Sequence, residues 1–196
     1  MRVKASRRRI ASLAAVALAL AALGISQTAQ AESFKFKAHD SGSFLSSAYH
    51  FTTDPGEGTA TGTLSGKGNK GHYSAQFLGG AVPTTPFPTA CTLPDGSPGL
   101  SFTFVGEITV FHFDSTDDLL FAVSPSGGGT ECFGTSGPPN AFKGTLSFNI
   151  TGGTGRFAGA TGTLTLEFHG QYLVFLNPSG GTFGWVADDW TGDITT

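Results

Sequence analysis

The stretch FKGTLSFNITGGTGRFAGATGTLTLEF, from Phe142 to Phe168, decides the fold class. Apolar and polar side chains alternate on both sides of a glycine-rich centre, and a period of two is typical of half-buried β-strands. The five glycines from Gly152 to Gly162 permit the backbone conformations of a tightly bent corner. The apolar positions are Leu146, Phe148 and Ile150 in the first arm and Leu164, Leu166 and Phe168 in the second. The stretch therefore predicts a β-hairpin with one apolar face.

Three segments carry a resemblance to a known family. The run ITGGTGRFAGATG at Ile150 to Gly162 resembles the turn in the barrel domain of plant allene oxide cyclases, dirigent proteins and secreted bacterial proteins. GEGTATGTLSGKG at Gly56 to Gly68 resembles the early strand of that family, and GEITVFHFDSTDDLLFAV at Gly106 to Val123 resembles its central hairpin. The resemblance implies an all-β fold: a single closed, mostly antiparallel up-and-down β-barrel of the calycin type, with an apolar cavity. Because the matched motifs are turns and scaffold, they transfer no pocket residues.

The rest of the chain also reads as strands. Its 18 phenylalanines and the absence of a 3.6-residue apolar stripe favour an all-β protein. We expect the last strand, which carries both tryptophans, to close the barrel against an earlier one. The further predicted strands are Phe34–Lys37, Tyr49–Thr52, Gly58–Leu64, His72–Leu78, Ser101–Phe113, Leu119–Val123 and Phe183–Thr191, with Gln171–Leu176 either continuing the hairpin or starting anew.

The first 31 residues have the features of an export signal. A basic front is followed by an alanine- and leucine-rich run and by the A-x-A site Ala29-Gln30-Ala31, so we expect a signal peptide over residues 1–31 and one barrel domain over 32–196. The twin arginine at Arg7-Arg8 leaves both the Sec and the Tat route open. The apolar run is shorter than the ~20 residues that span a bilayer. The sequence thus predicts export to the cell envelope or the exterior, without membrane insertion.

The charge of the exported part excludes some partners. The chain has 11 basic and 14 acidic residues, and five of the basic ones lie in the leader, so the remainder carries 6 − 14 = −8. A surface of that sign disfavours nucleic acids and anionic membranes. We therefore expect neither as a partner.

Two cysteines lie in loop-like segments. Cys91 is in the proline-rich stretch Gly79–Gly99 and Cys132 is in Ser124–Asn140, and up-and-down strands would bring both stretches to one end of the barrel. In an exported domain this favours a Cys91–Cys132 disulfide. Two free thiols are the alternative, and a zinc site lacks a histidine cluster.

No motif identifies a cofactor or a nucleophile. Gly66–Gly71 fits G-x-G-x-x-G and Gly153–Ala158 fits its G-x-G-x-x-A variant, but each precedes a strand and not the helix that phosphate binding needs. A nucleophile elbow, a Walker lysine and H-E-x-x-H are absent from the sequence. We expect no cofactor and no metal.

His112 is the leading polar candidate for a site. It shares parity with Phe104, Ile108 and Val110, and if that parity holds its imidazole lies at the barrel mouth among apolar side chains. Phe111 and Phe113, apolar in the opposite phase, indicate instead a bulge or two buried faces. The predicted ligand-binding set is Phe104, Ile108, Val110, His112, Phe148, Leu166 and Trp185, with His112 also the catalytic candidate.

Two groups of acidic residues are further candidates for a site. Asp114, Asp117 and Asp118 lie in one turn and could bind calcium, although aspartates in turns usually cap their own backbone. Asp188 and Asp189 could divide acid and base roles, but neighbours on a strand point to opposite faces.

The sequence is compatible with three functions. The first is a non-catalytic binding or interaction module, in which a small apolar ligand requires an open lumen with a volume of about 300 Å³ or more. The second, implied by the resemblance, is an isomerase or dirigent-like enzyme that acts on an unsaturated lipid or phenolic guest. The third is a structural protein that self-associates into oligomers.

Overall fold

The fold is all-β. The structure, a computed structural model, describes residues 31–47, 58–83, 89–135, 139–175 and 181–196. The predicted strand Tyr49–Thr52 lies outside these ranges. The elements of the described ranges are β1 (Ser33–Ser46), β2 (Gly58–Gly68), β3 (Gly71–Pro83), β4 (Thr89–Thr92), β5 (Pro98–Phe113), β6 (Asp118–Ser124), β7 (Gly129–Gly134), β8 (Asn140–Gly153), one 3₁₀ turn (Gly155–Phe157), β9 (Thr161–Phe175) and β10 (Thr182–Thr195).

The strands close into an antiparallel barrel. The pairing runs from β3 through β2, β1, β10, β9 and β8 to β6 and β5, and β5 pairs back with β3. Strands β6 and β7 occupy one position in succession, because both pair with β5 on one side and β8 on the other. The described strands therefore form the closed antiparallel barrel that was predicted, and the structure shows that it has eight strand positions, with β10 closing against β1.

The hairpin of β8 and β9 forms as the alternation predicts. Leu146 pairs with Leu166 and Phe148 with Leu164, and all four side chains point into the barrel. In the turn between the strands, Phe157 is buried and packs 4.9 Å from the ring of Phe113. Strand β9 continues past Gly170 to Phe175, which is one of the two predicted alternatives.

A bulge in β5 reverses which side chains point inward. Gly80 pairs with Gly106 but Ala81 pairs with Phe104, so Val105 is an extra residue on β5. Gly106 has φ +149°, which glycine adopts without strain. A one-residue shift moves every later side chain to the other face. Before the bulge the even-numbered residues face inward, and after it the odd-numbered ones do.

The barrel end opposite the disulfide is filled with aromatic rings. Trp190 lies at the centre, with ring centroids 4.9 Å from Phe111 and 5.0 Å from Phe148. Phe36 packs edge-on against Phe111, and Tyr73 contacts both Phe111 and Phe113. Interdigitated rings in these geometries leave little free volume. The free space inside the barrel therefore lies toward the other end.

The two segments predicted as long loops contain strands. The proline and glycine content of these segments is typical of loops, but each contains a short strand. These strands, β4 and β7, pair with opposite edges of β5. Cys91 lies opposite Gly99, Cys132 lies opposite Ser101, and the predicted disulfide joins them across β5 with a Cα–Cα distance of 6.0 Å. The bond closes 41 residues, which stabilises by about 4 kcal/mol in the chain-entropy model. In the described part of the chain, no helix has the length and apolar character needed to span a membrane.

Candidate acidic lumen site

A small cavity lies inside the barrel between the bulge and the disulfide-bearing end. Its volume is about 60 Å³. The wall is largely aromatic, with aliphatic side chains from β2, β8, β9 and β10 completing it. The aromatic residues are Phe44, Phe77, Phe104, Phe142, Phe168 and Tyr172, and the aliphatic ones are Ala60, Leu146, Leu166 and Val186.

Three carboxyl groups line the same cavity. Glu107 comes from β5, Glu131 from β7 and Asp188 from β10, and each residue is at most 9% exposed. The bulge turns Glu107 inward, because without the extra residue the odd-numbered residues of β5 would continue to face outward. Acidic side chains are rarely buried in this number without partners. The cavity is therefore acidic as well as aromatic.

Glu107 is held between β3 and its own strand. It lies opposite Gly79, where a Cβ atom would come 2.7 Å from the Glu107 Oε2 atom, so a glycine leaves the room that this carboxyl group occupies. Thr109, also fully buried, donates a hydrogen bond from Oγ1 to Glu107 Oε1 at 3.0 Å. Burial raises the pKa of Glu107 to about 7, and the Thr109 hydrogen bond opposes that rise.

Glu131 lies on β7 next to the disulfide cysteine Cys132. Burial raises its pKa well above the usual value, and the negative charge of Glu107 raises it further. Because each carboxylate disfavours ionisation of the other, Glu107 and Glu131 together hold fewer than two negative charges at neutral pH.

Asp188 is coupled to a fourth buried acid, Asp40. The two are direct partners across β1 and β10. Burial and then the charge of Asp40 raise the pKa of Asp188 well above its usual range. Burial also raises the pKa of Asp40, opposed by hydrogen bonds from Tyr73 and Asp188. The Tyr73 hydroxyl donates to Asp40 Oδ2 at 2.8 Å. The hydrogen bond between the two carboxyl groups raises the pKa of Asp188 and lowers that of Asp40, so Asp188 holds the proton of the pair and Asp40 accepts it.

No basic side chain among the described residues lines the cavity. Two carboxyl oxygens, Asp40 Oδ1 and Asp188 Oδ1, are fully buried without a hydrogen-bond partner. A buried carboxylate without a countercharge is costly, so such groups take up protons or bind a cation. The site can therefore donate hydrogen bonds when protonated and neutralise a positive charge when ionised.

The structure brings only some of the predicted ligand-binding residues together. Phe104 and Leu166 line the cavity. Phe148 also points inward, but it packs against Trp190 in the aromatic end and not along the cavity.

The predicted inward orientation of Ile108, Val110 and His112 is wrong. The bulge at Val105 places all three on the outer face, where Ile108 is 53% exposed. His112 Nε2 is hydrogen-bonded to the carboxylate of Asp117 in the hairpin turn. The opposite-phase Phe111 and Phe113 mark this bulge, which the sequence offered as an alternative. Trp185 is also on the outer face, with its ring 5.9 Å from that of His169.

The other acidic candidates are separated by the fold. Asp117 pairs with His112, whereas Asp118 forms a salt bridge with Arg156, with 3.2 Å between Asp118 Oδ2 and Arg156 Nε. Asp188 points into the barrel, and its neighbour Asp189 points outward to His39, as adjacent strand residues should. The described residues contain no group of three or more His, Cys, Asp or Glu side chains that could hold a metal ion.

Sequence reasoning missed three of the four buried acids, Asp40, Glu107 and Glu131, and considered the fourth, Asp188, only together with Asp189. A pattern in the sequence nevertheless marks three of the four. Asp40 follows Phe36 and Ala38 in the inward phase of β1, and Asp188 lies between Val186 and Trp190 in that of β10. Glu107 precedes Thr109, Phe111 and Phe113 in the inward phase of β5, once the bulge is recognised. An acidic residue among otherwise apolar, inward-facing positions of a strand indicates a buried acid. Glu131 had no such pattern, because β7 is only six residues long.

The fold and the site define a closed antiparallel β-barrel with an acidic, aromatic cavity. The chain matches no family model, no curated protein and no solved structure. The likeness of its glycine turn to the allene oxide cyclase and dirigent barrels stays a prediction about the subtype of barrel.

Proposed function

We propose that the protein is a secreted binding module that holds a small guest inside the barrel. The observation that carries the proposal is the internal cavity, where a wall of aromatic rings surrounds three carboxyl groups. Ligand sites typically combine apolar walls with a few converging polar groups. The Cys91–Cys132 disulfide and the leader-like first 31 residues support export, because disulfides persist in oxidising compartments.

The size of the cavity limits the guest. Ligand pockets are usually about 300 Å³ or larger, and a cavity of about 150 Å³ accepts benzene. The lumen here has about 60 Å³, well below the volume expected from sequence for an open binding barrel. The proposed guest therefore has only a few non-hydrogen atoms, or is the terminal group of a longer molecule.

A pair of variants tests whether the lumen binds anything. Ala60 lines the cavity from β2, so Ala60→Leu fills it, whereas Thr63→Leu places the same side chain, leucine, on the outer face of that strand. Native mass spectrometry of the protein from a culture supernatant should find a small co-purifying molecule in the wild type and in Thr63→Leu. Ala60→Leu should lack it. A guest retained by Ala60→Leu, or absent from all three proteins, would contradict binding in the lumen.

One observation favours an alternative, a cyclase- or isomerase-like enzyme of the kind that the resemblance implies. A carboxyl group with a pKa of about 7 in an apolar cavity is suited to general acid–base catalysis at neutral pH, and Glu107 has both properties. In this alternative Glu107, not His112, moves the proton. Turnover of an unsaturated lipid or phenolic guest that is lost in Glu107→Gln but kept in His112→Ala would favour the enzyme over the binding module.

A further inference from the structure

We propose that the guest is a small organic cation, a primary amine or alkylammonium group of two to four non-hydrogen atoms, held by Glu107, Glu131 and Asp188. This inference rests on the proposed lumen-binding function and gives the chemical class of the ligand. It depends on three features of the cavity, namely the sign of its charge, the nature of its walls and the spacing of its carboxyl groups.

The charge of the lumen selects for a cation. Three carboxyl groups from three strands face one cavity, and Asp40 lies behind Asp188 as a fourth. The lining has no Lys, Arg or His side chain among the described residues. An anionic guest would meet only like charge. A neutral apolar guest would leave the buried Asp188 Oδ1 atom without a partner, whereas an ammonium group has up to three N–H donors for such oxygens.

The walls of the cavity favour an organic cation over an inorganic ion without an alkyl part. Six aromatic rings line the cavity, and the faces of such rings attract cations through their quadrupoles. Rings also accommodate the alkyl part of an amine through apolar contact. Carboxylates and aromatic rings are the two protein groups that attract an alkylammonium ion, and both occur here at one cavity.

The placement of the carboxyl groups disfavours a metal ion. Glu107, Glu131 and Asp188 do not converge into a cluster that could hold a metal, and neither does any other set of described His, Cys, Asp or Glu residues. Strand β5 carries Glu107, which lies opposite Gly79 on β3, whereas Asp188 lies opposite Asp40 on β1. Groups distributed around a cavity suit a guest with an extent of several atoms.

Binding of such a cation displaces protons. Without the guest, burial and mutual repulsion keep protons on part of the cluster. A bound ammonium group favours the ionised form of the carboxyl group that it contacts, so one proton leaves that group for solvent as one amine enters. The charge balance is one cation gained for each proton lost, and the protein covalent structure does not change.

The test is calorimetric titration of the oxidised full protein with ethylammonium chloride at pH 7. Ethanol, a neutral compound of the same size, and sodium chloride are the controls. We expect saturable binding of ethylammonium alone, with proton release detected as a dependence of the heat on the ionisation enthalpy of the buffer. Glu107→Gln should weaken binding at least about tenfold, the usual effect of losing a charged hydrogen bond. Ile108→Thr, the neighbouring outer-face control, should bind like the wild type.

The outcomes separate this inference from the proposed function. Equal binding of ethylammonium and ethanol would overturn the cation assignment while the lumen site stands. Ethylammonium binding that is unchanged in both Glu107→Gln and Asp188→Asn would overturn it too. If neither compound binds and native mass spectrometry finds no guest, both the inference and the proposed function fail.

Discussion

Asp40 and Asp188 face each other as direct cross-strand partners of β1 and β10, and both are almost completely buried, at 1% and 4% exposed. Like charges directly opposite each other destabilise a strand pair. The pair is tolerated because one proton is retained between them and because Tyr73 donates a hydrogen bond to Asp40. Two buried acids in register therefore lower the stability of the barrel, and one of them, Asp188, lines the cavity.

Replacing Asp188 by asparagine should stabilise the protein at alkaline pH. The amide keeps the size of the side chain and its ability to donate to Asp40, but it cannot ionise. We expect the free energy of unfolding at pH 8 to rise by at least ~1 kcal/mol, since one unit of pKa shift corresponds to about that amount. At pH 4 the change should be small, because Asp188 is then protonated. Urea denaturation at the two pH values measures both.

Asp189→Asn is the matched control for this prediction. Asp189 is the next residue on β10, but it is exposed and pairs with His39 at the surface. Its replacement should change the free energy of unfolding by no more than about 0.5 kcal/mol at either pH. A loss of stability in Asp188→Asn at pH 8 would show that the carboxylate of Asp188 is stabilising as an anion.

The stability of the protein should fall as the pH rises from about 4 to 8. Glu107, Glu131, Asp40 and Asp188 all have raised pKa values in the folded state, so the folded protein binds more protons than the unfolded chain. Their stabilisation is complete below the unfolded pKa values and is lost as the pH rises through the folded ones. For Glu107 the rise from 4.5 to about 7 corresponds to ~3 kcal/mol.

A thermal melting series across this pH range measures the effect. Glu107→Gln should flatten the profile between about pH 4.5 and 7, because it removes the group that titrates there. Ile108→Thr, on the outer face of the same strand, should keep the wild-type slope. A melting temperature that rises from pH 4 to 8 would be incompatible with buried, protonated acids in the lumen.

Gly99 should be required for the disulfide to form. A Cβ atom there would lie 2.8 Å from Cys132 Sγ and 3.0 Å from Cys91 Sγ, so the bond crosses β5 where the strand has no side chain. Gly99→Ala should therefore leave free thiols in the purified protein and lower the free energy of unfolding by up to about 4 kcal/mol. Alkylation followed by intact-mass analysis counts the thiols.

Pro98→Ala serves as the comparison, because it changes the adjacent, exposed residue of β5. It should form the disulfide fully. Complete oxidation of Gly99→Ala with unchanged stability would mean that β5 shifts easily to make room, and that the glycine is not what admits the bond.

Much of the fold is readable from local patterns in the sequence. The hairpin around Gly152–Gly162 was predicted because alternation and glycine content are properties of neighbouring residues. The Cys91–Cys132 bond was predicted because a barrel brings alternate connections to one end. The first inference uses local sequence and the second uses chain topology, and neither requires knowledge of side-chain packing.

What the sequence did not reveal depends on pairing between distant strands. The inward face of β5 reverses at Val105, and the reason lies in its register against β3 as much as in Gly106. Because local sequence offered this bulge only as an alternative, His112 was predicted at the barrel mouth and Glu107 was not singled out. Short strands such as β7 are fixed by their partners β5 and β8, so Glu131 could not be placed from local composition.

The measurement that tests the central claim most directly is a carbon-13 NMR titration of the side-chain carboxyl groups between pH 3 and 9. If Glu107 lies buried in an acidic cavity, its carboxyl resonance should titrate near pH 7, and ethylammonium should move that midpoint downward. A midpoint near 4.5, insensitive to the amine, would mean that Glu107 is hydrated as in an unfolded chain, and it would contradict an acidic binding site in the lumen.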